Sequence, residues 1–196
     1  MRSPRTERIT TRRGLAAAIV VLGAGFIGIC APDAAHAQAS APSIVPHFRL
    51  KLGIFDPADS ATRSAFGKIL PSGEIDAQVP VGGNGISLLS VGYTEGRRDG
   101  RNFRDIPVGL SQVTYAGNPA SGLTGNIYYG GGFAFHFMHV SGGGQPSESK
   151  KPFGAFIQVG YQSPLSYFIE AKYNLVSASV GGVKANGLVL YLGKRL

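Results

Sequence analysis

The sequence contains no tryptophan and only one cysteine, Cys30, among its 196 residues. A single cysteine cannot form an internal disulfide, so the fold must be held together by burial and hydrogen bonding. After residue 29 no run of about 18 apolar residues occurs, and the sequence therefore predicts no transmembrane helix beyond that point. If this part of the chain enters a membrane, we expect a closed β-barrel, the other structure that satisfies every backbone polar group.

The first 37 residues have the three parts of a secretory signal peptide. Five arginines precede an apolar stretch over residues 15–29, and Ala35-His36-Ala37 supplies a small-residue cleavage site. The apolar stretch is shorter than a membrane-spanning helix requires, and an uncleaved N-terminal anchor is the alternative. The Arg12-Arg13 pair leaves the twin-arginine export route open beside the general secretory route.

Cleavage after Ala37 divides the chain into a signal peptide (1–37), an N-terminal lead (38–46) and one predicted barrel domain (47–196). The residues after Ala37 include 14 basic and 9 acidic side chains, which gives a net charge of +5, and no cysteine. A basic chain that is exported meets the phosphates of lipopolysaccharide rather than nucleic acid. We therefore expect no nucleic-acid partner.

The clearest periodic signal lies at residues 124–140, TGNIYYGGGFAFHFMHV. One set of alternate residues is large and apolar, and it includes Phe133, Phe135 and Phe137, whereas the other set is small or weakly polar. A period of two is typical of a β-strand, because successive side chains point to opposite faces. Three consecutive glycines inside this strand indicate crowding or sharp curvature.

Seven other segments alternate in the same way. The eight predicted strands cover residues 47–54, 74–81, 86–96, 101–115, 124–140, 152–162, 165–176 and 184–196. Polar loops are predicted at 56–72 and 141–151, whereas strands three and four have a short connection that a protruding hairpin would explain. Eight strands with long and short connections predict an all-β fold, an eight-stranded antiparallel up-and-down transmembrane β-barrel.

The alternation permits two kinds of barrel. In a soluble, lipocalin-like barrel the apolar phase points inward around a ligand, whereas in an outer-membrane barrel it faces lipid. The signal peptide and several tyrosines near strand ends favour the membrane. These tyrosines are Tyr93, Tyr115, Tyr161 and Tyr173. In this arrangement Phe135 and Ile169 face lipid, and a soluble periplasmic ligand-binding barrel is the alternative.

The polar phase carries five charges at mid-strand positions, and a membrane barrel would place them in its interior. The predicted interior polar cluster consists of Arg49, Lys51, Asp76, Glu170 and Lys172. Pairing the first two strands about the predicted loop places Lys51 nearly opposite Asp76. Because an eight-stranded barrel is only just wide enough for its side chains, these charges should pair and form a polar plug. An open lumen would instead make the protein a small porin.

With these features the sequence resembles the small eight-stranded outer-membrane barrels of the OmpA/OmpX-like superfamily. The resemblance is carried by the Ala35-His36-Ala37 site, the glycine-rich aromatic strand Tyr129 to Phe137 and the terminal strand Gly187 to Leu196. The terminal strand departs from the family pattern, because Leu196 stands where a phenylalanine is usual.

The resemblance implies a location in the bacterial outer membrane. It also implies contact with outer-membrane lipid and lipopolysaccharide, insertion by the barrel-insertion machinery, and a monomer. The roles of such barrels vary, so the resemblance does not imply one function.

The strongest hint of enzymatic chemistry is His139-Val140-Ser141, which resembles the H-x-S motif of outer-membrane lipid A deacylases. Gly142 replaces the usual asparagine, and Glu148 falls in a predicted loop rather than at the expected position of the glutamate. We therefore expect no catalytic residue, metal site or cofactor. The expected role is structural or surface-interacting, and the alternative is a lipid-modifying enzyme.

Overall fold

The computed structural model describes residues 47–80, 86–116 and 126–196, so the predicted signal peptide and lead lie outside the described residues. Nine strands and one helix occur in these ranges. They are β1 (Phe48–Pro57), α1 (Ser60–Phe66), β2 (Leu70–Val79), β3 (Ile86–Arg98), β4 (Arg101–Ala116), β5 (Asn126–Gly142), β6 (Gln145–Lys150), β7 (Phe153–Gln162), β8 (Tyr167–Val176) and β9 (Gly187–Arg195). Within the described residues, no helix is both long and apolar enough to cross a membrane.

Eight of these strands form a closed antiparallel ring. Each pairs with its neighbours in the order β1, β2, β3, β4, β5, β7, β8 and β9. The ring closes between the first and last strands, where Arg49 lies opposite Arg195 and Pro57 opposite Gly187. The short strand β6 pairs with the C-terminal part of β5, and the two form a hairpin. The prediction of an eight-stranded up-and-down barrel is therefore confirmed.

Both segments predicted as long polar loops contain ordered structure, so those predictions were wrong. In the first, Asp59 caps α1 by accepting hydrogen bonds from Thr62 N at 2.9 Å and Thr62 Oγ1 at 2.7 Å. Strand β2 then begins at Leu70, four residues before the predicted start. In the second, Gly143 and Gly144 adopt positive φ angles of 67° and 73° and turn the chain from β5 into β6.

The short connection between β3 and β4 reflects a long hairpin. Asp99 and Gly100 both adopt positive φ angles, 51° and 71°, which match the twist of a tight two-residue hairpin turn. β4 continues through Pro107, and the β3–β4 pairing is interrupted between Val108 and Asp105. A side chain on Gly92 would lie 2.8 Å from Pro107 Cγ, so this glycine makes room for the proline ring.

The apolar phase of the strands points outward and the polar phase points inward, the reverse of a lipocalin-like barrel. Phe135 and Ile169 have exposed fractions of 55% and 61% on the outer wall. Tyr93, Tyr161 and Tyr173 lie on this face as predicted, but Tyr115 does not. Tyr115 lies on the inner phase, where its hydroxyl donates to Gln162 Oε1 at 2.7 Å.

The three consecutive glycines of β5 lie where the barrel wall is crowded. A Cβ on Gly130 would lie 2.1 Å from Gln112 O, and one on Gly132 would lie 2.2 Å from Leu110 O. Both oxygens belong to the neighbouring strand β4. This close approach leaves no room for a side chain, as the sequence indicated.

Candidate functional site: the barrel interior and its outer rim

Buried side chains inside the barrel fall into three layers. The loop end of the barrel, where α1 lies, contains an apolar cluster that we call the apolar cap. The apolar cap consists of Phe55, Phe66, Leu70, Phe103, Met138, Val140, Val176, Val180, Val183, Ala185, Val189 and Tyr191. A smaller apolar cluster of Leu88, Val113, Tyr128 and Phe168 lies toward the terminal end, where β1 begins and β9 ends. Between them lies a charged layer.

This charged layer, which we call the polar layer, consists of Arg49, Lys51, Glu74, Asp76, Glu170 and Lys172. All six side chains are buried. The five residues of the predicted cluster are among them, and the structure brings all five together. Three cations therefore face three carboxylates.

Glu170 is the central acceptor of the polar layer. Its Oε2 accepts from Arg49 Nη2 at 2.8 Å and from the Tyr128 hydroxyl at 2.8 Å, and its Oε1 accepts from Lys51 Nζ at 2.7 Å. Arg49 Nη2 also donates to the Tyr128 hydroxyl at 2.6 Å. One carboxylate is therefore held by two cations and a phenol. Charge-assisted contacts of this kind are the stronger hydrogen bonds in proteins.

Glu74 joins the second half of the polar layer. Its Oε1 accepts from Lys51 Nζ at 2.7 Å and its Oε2 accepts from Lys172 Nζ at 2.6 Å. The predicted cluster does not include Glu74, although this residue shares the inward phase of Asp76 on the same strand. Without it the cluster would have a net charge of +1, whereas the six residues together are neutral.

The predicted register between β1 and β2 was wrong by two residues. Lys51 lies opposite Glu74, and Asp76 lies opposite Arg49. The difference follows from the early start of β2, because a shorter connection shifts the partner of each β1 residue. Lys51 Nζ still lies 2.9 Å from Asp76 Oδ2 along the diagonal.

Aromatic rings pack against all three cations. The Arg49 guanidinium lies 4.2 Å from the Phe168 ring centroid, and Lys172 Nζ lies 3.9 Å from that of Phe156. Lys51 Nζ is 5.4 Å from the Tyr191 ring centroid. Each ring offers its negative face to a cation that has left water.

A second buried polar pair lies on the β4–β5 side of the barrel. His136 Nδ1 and Asp105 Oδ2 are 2.8 Å apart, and both side chains are buried. His136 was not among the predicted site residues. In the described ranges, no three histidine, cysteine or acidic side chains are arranged to hold a metal ion. Inward alternation on the two strands was the signal that would have paired His136 with Asp105.

Contacts between a side chain of α1 and the loop backbone join the helix to the segment 177–186. Thr62 Oγ1, which donates to Asp59, accepts from Lys184 N at 3.0 Å and lies 3.0 Å from Lys184 O. These contacts fix α1 against the segment 177–186, whose Val180 and Val183 are buried in the cap. Loop residues therefore complete the apolar layer at this end of the barrel.

Glu148 links β6 to the loop segment 177–186. Its carboxylate accepts from Gly181 N at 2.6 Å and lies 2.5 Å from Lys150 Nζ. The hydrogen bond from Lys150, followed by that from the Gly181 amide, lowers the pKa of the Glu148 carboxyl below its usual range. Beside it opens a surface cavity of about 380 Å³ lined by Arg101, Ser141 and Ser147 among others.

In the structure, the histidine of the His139-Val140-Ser141 motif is hydrogen-bonded to a different serine. His139 Nδ1 lies 2.8 Å from Ser149 Oγ, across the β5–β6 hairpin. Ser141 lies on the same strand as His139, and the described residues show no hydrogen bond between the two. Glu148 points to the other face of β6 and is engaged by Gly181. The described residues therefore show no Ser-His-Glu arrangement around His139.

A closed eight-stranded barrel with an apolar outer wall and a charged interior is the architecture of the small outer-membrane barrels. Neisserial surface protein A has a similar structure, with a TM-score of 0.61 and 14% sequence identity over 77% of this chain and 96% of that protein. This likeness confirms the resemblance at the level of the fold. No protein-family model and no curated protein matches the sequence.

Two other solved barrels align less well. The N-terminal β-barrel domain of Pseudomonas aeruginosa OprF aligns with a TM-score of 0.45 and 14% identity, over 76% of this chain and 95% of that one. The Yersinia pestis outer membrane protein Ail aligns with a TM-score of 0.46 and 15% identity, over 77% and 99%. At these scores the fold assignment rests on the neisserial protein and on the strand pairing itself.

Proposed function

We propose that this protein is a non-enzymatic barrel of the bacterial outer membrane with a closed interior and a structural or surface-interaction role. The observation that carries the proposal is the polar layer, in which three buried cations are matched by three buried carboxylates. A water-filled channel does not need such matching, since water hydrates its lining. A dry lumen does, because an unpaired buried charge is costly.

The outer wall supports a location in lipid. Large apolar side chains are exposed all around the ring, for example Leu52 at 68%, Phe133 at 61% and Ile157 at 69%. Soluble proteins rarely expose apolar area so continuously. A lipid bilayer covers such a belt, and a closed barrel leaves no unpaired strand edge inside it.

The orientation follows from the two ends of the barrel. β1 begins and β9 ends at the terminal end, while α1, the β3–β4 hairpin and the β5–β6 hairpin project from the loop end. Outer-membrane barrels place longer loops outside and short turns in the periplasm. We place the loop end outside, in contact with lipopolysaccharide, and propose a monomer delivered by the barrel-insertion machinery.

Fractionation combined with heat-modifiable gel migration tests the location. The exported protein should require detergent for extraction from the outer-membrane fraction and should change its mobility on boiling. A protein that remains in the periplasmic fraction without detergent would contradict the proposal and favour the soluble ligand-binding barrel.

The lipid-modifying enzyme is the second candidate, because a histidine–serine hydrogen bond does occur at His139 and Ser149. Within residues 47–80, 86–116 and 126–196, no carboxylate forms a hydrogen bond with either partner, so we expect no acyl-ester hydrolysis. Lipid A mass spectra from cells expressing the wild type, Ser149→Ala and Ser141→Ala should be identical. An acyl chain lost with the wild type and retained with either variant would overturn the non-enzymatic assignment.

A further inference from the structure

One sector of the outer wall is rich in phenylalanine. Phe133 and Phe135 of β5 each lie 5.5 Å from Phe153 of β7, the first stacked and the second edge to face. Their exposed fractions are 61%, 55% and 46%. Phe137 continues the same face of β5 toward the loop end and is 40% exposed. We call these four residues the aromatic wall.

Two cations lie where the aromatic wall meets the loop end. Lys151 Nζ lies 5.3 Å from the ring centroid of Phe137. Arg104 lies directly opposite His139 in the β4–β5 pairing, and His139 is the next outward residue after Phe137. Directly opposite residues of an antiparallel pair are about 5 Å apart at their Cα atoms. Arg104 and Lys151 therefore flank β5 on opposite sides, with His139 of β5 between them, at the border of the aromatic wall nearest the loop end.

These two cations differ from most others at the loop end. Four cations there have carboxylate partners. The pairs are Arg63 with Asp56, Arg97 with Glu95, Arg98 with Asp99 and Lys150 with Glu148. Within the described ranges, Arg104 and Lys151 form no ion pair. Glu95 faces Arg104 across the β3–β4 pairing and interacts with its charge, but the Glu95 carboxylate forms its ion pair with Arg97, at 2.6 Å.

We propose that a phosphorylated lipid of the outer leaflet docks here. Its acyl chains lie along the aromatic wall, and its phosphate is bound by Arg104 and Lys151 with His139 beside them. The surface offers contacts for both parts of such a ligand in the right order, with apolar side chains along the wall and positive charge toward the loop end. Juxtamembrane lysines and arginines attract anionic headgroups in this way. The inference rests on the proposed membrane location and assigns one lipid site within it.

Native mass spectrometry of the folded barrel in detergent tests the phosphate half of the site. The probes are diphosphorylated lipid A and the same lipid with both phosphates removed. We expect the wild type to retain the phosphorylated form at least about tenfold better. Arg104→Gln with Lys151→Gln should abolish that preference. The matched control, Lys68→Gln with Arg98→Gln, removes the same charge from the same end and should keep it.

The acyl half is tested by Phe135→Ala, which should weaken retention of both lipids. Its control, Ile75→Ala, removes an equally exposed apolar side chain from β2 and should not. Two results would overturn the inference and indicate non-specific lipid contact. One is equal retention of the two lipids by the wild type. The other is an equal loss of the preference for the phosphorylated lipid in the Arg104/Lys151 and Lys68/Arg98 double variants. Heat-modifiable migration is recorded for each variant. A barrel that folds and enters the outer membrane but lacks the preference contradicts only the lipid site, whereas failure to reach the membrane contradicts the proposed function.

Discussion

The polar layer and the apolar cap lie next to each other inside one barrel, but different parts of the chain hold them. Every residue of the polar layer belongs to β1, β2 or β8, three strands whose positions are fixed by the hydrogen-bonded ladder. The apolar cap draws also on α1 and on segment 177–186, which no ladder fixes. The polar layer is thus supported by strands alone, whereas the apolar cap is supported by strands, a helix and a loop segment.

The difference in support between the two layers shows which kind of backbone structure can hold buried charges. Paired charges in a dry interior are stable only if each carboxylate meets its cation with good geometry. The strand ladder supplies that accuracy for Glu74 and Glu170, which accept hydrogen bonds from the cations at 2.6–2.8 Å. Asp76 lies 2.9 Å from Lys51 Nζ, but its oxygens accept no hydrogen bond of good geometry within the described residues. Apolar contact is non-directional and needs only that side chains fill the space. Loops can therefore complete the cap, whereas they would be a poor support for the polar layer.

Removing Glu170 should have the largest effect, because it leaves Arg49 and Lys51 without their common acceptor. We expect Glu170→Ala to lower the free energy of unfolding by roughly 3–5 kcal/mol. Urea unfolding in detergent micelles, followed by the heat-modifiable fraction on gels, measures it. Glu148→Ala, which removes a half-buried carboxylate on the β5–β6 hairpin outside the barrel interior, is the control. Equal losses in the two variants would mean that water reaches the polar layer.

Phe103→Ala should weaken the apolar cap rather than the polar layer. Phe103 is fully buried and lies 5.5 Å from Phe66 of α1. We expect a loss of about 3 kcal/mol, near the low end for a buried phenylalanine, because the loop segments can relax into the space. The same unfolding assay measures it, with Phe48→Ala on the outer wall as control. A loss no greater than that of Phe48→Ala would mean that the apolar cap contributes little to the free energy of unfolding of the barrel.

The contrast between the two layers also explains which features of the interior could be predicted from the sequence and which could not. Period-two alternation marked Arg49, Lys51 and Glu170 as facing the interior, because a strand residue's face is set by its parity. The register between β1 and β2 was missed, since it depended on where a capped helix ended. The apolar cap was missed as well, because Val180 and Val183 lie in a loop with no periodic signal. Outward cations such as Arg104 were visible in the sequence, but coordinates were needed to show that Arg104 forms no ion pair within the described part of the chain.

Asp59→Ala should destabilise the apolar cap but not the polar layer. The Asp59 side chain caps the N-terminus of α1, so its loss should lower the local stability of this helix by about 1 kcal/mol. Amide hydrogen exchange should then become faster in α1 and at Lys184, whose amide is bound by Thr62. Exchange in the strands that hold the polar layer should not change. Faster exchange in β1 and β8 would show that the two layers are energetically coupled.

Acidification should release the contact between Glu148 and Gly181. The lowered pKa of Glu148 means that this contact contributes stability above the ordinary glutamate pKa, about 4.3, and loses it as the pH falls through the lowered value. The amide resonance of Gly181, followed by NMR from pH 7 downward, should shift only in that acidic range. Glu148→Gln should remove the transition. A wild-type resonance that does not change over this range would argue against the contact in solution.

Conductance in planar lipid bilayers tests most directly whether the interior is closed. The purified wild-type barrel should insert without a large, steady current, because the polar layer neutralises its own charges and the apolar cap lies above it. Glu170→Ala, if it inserts, should show brief openings at most. A stable open channel formed by the wild type would contradict the account, since the six charges would then line water and the protein would be a small porin.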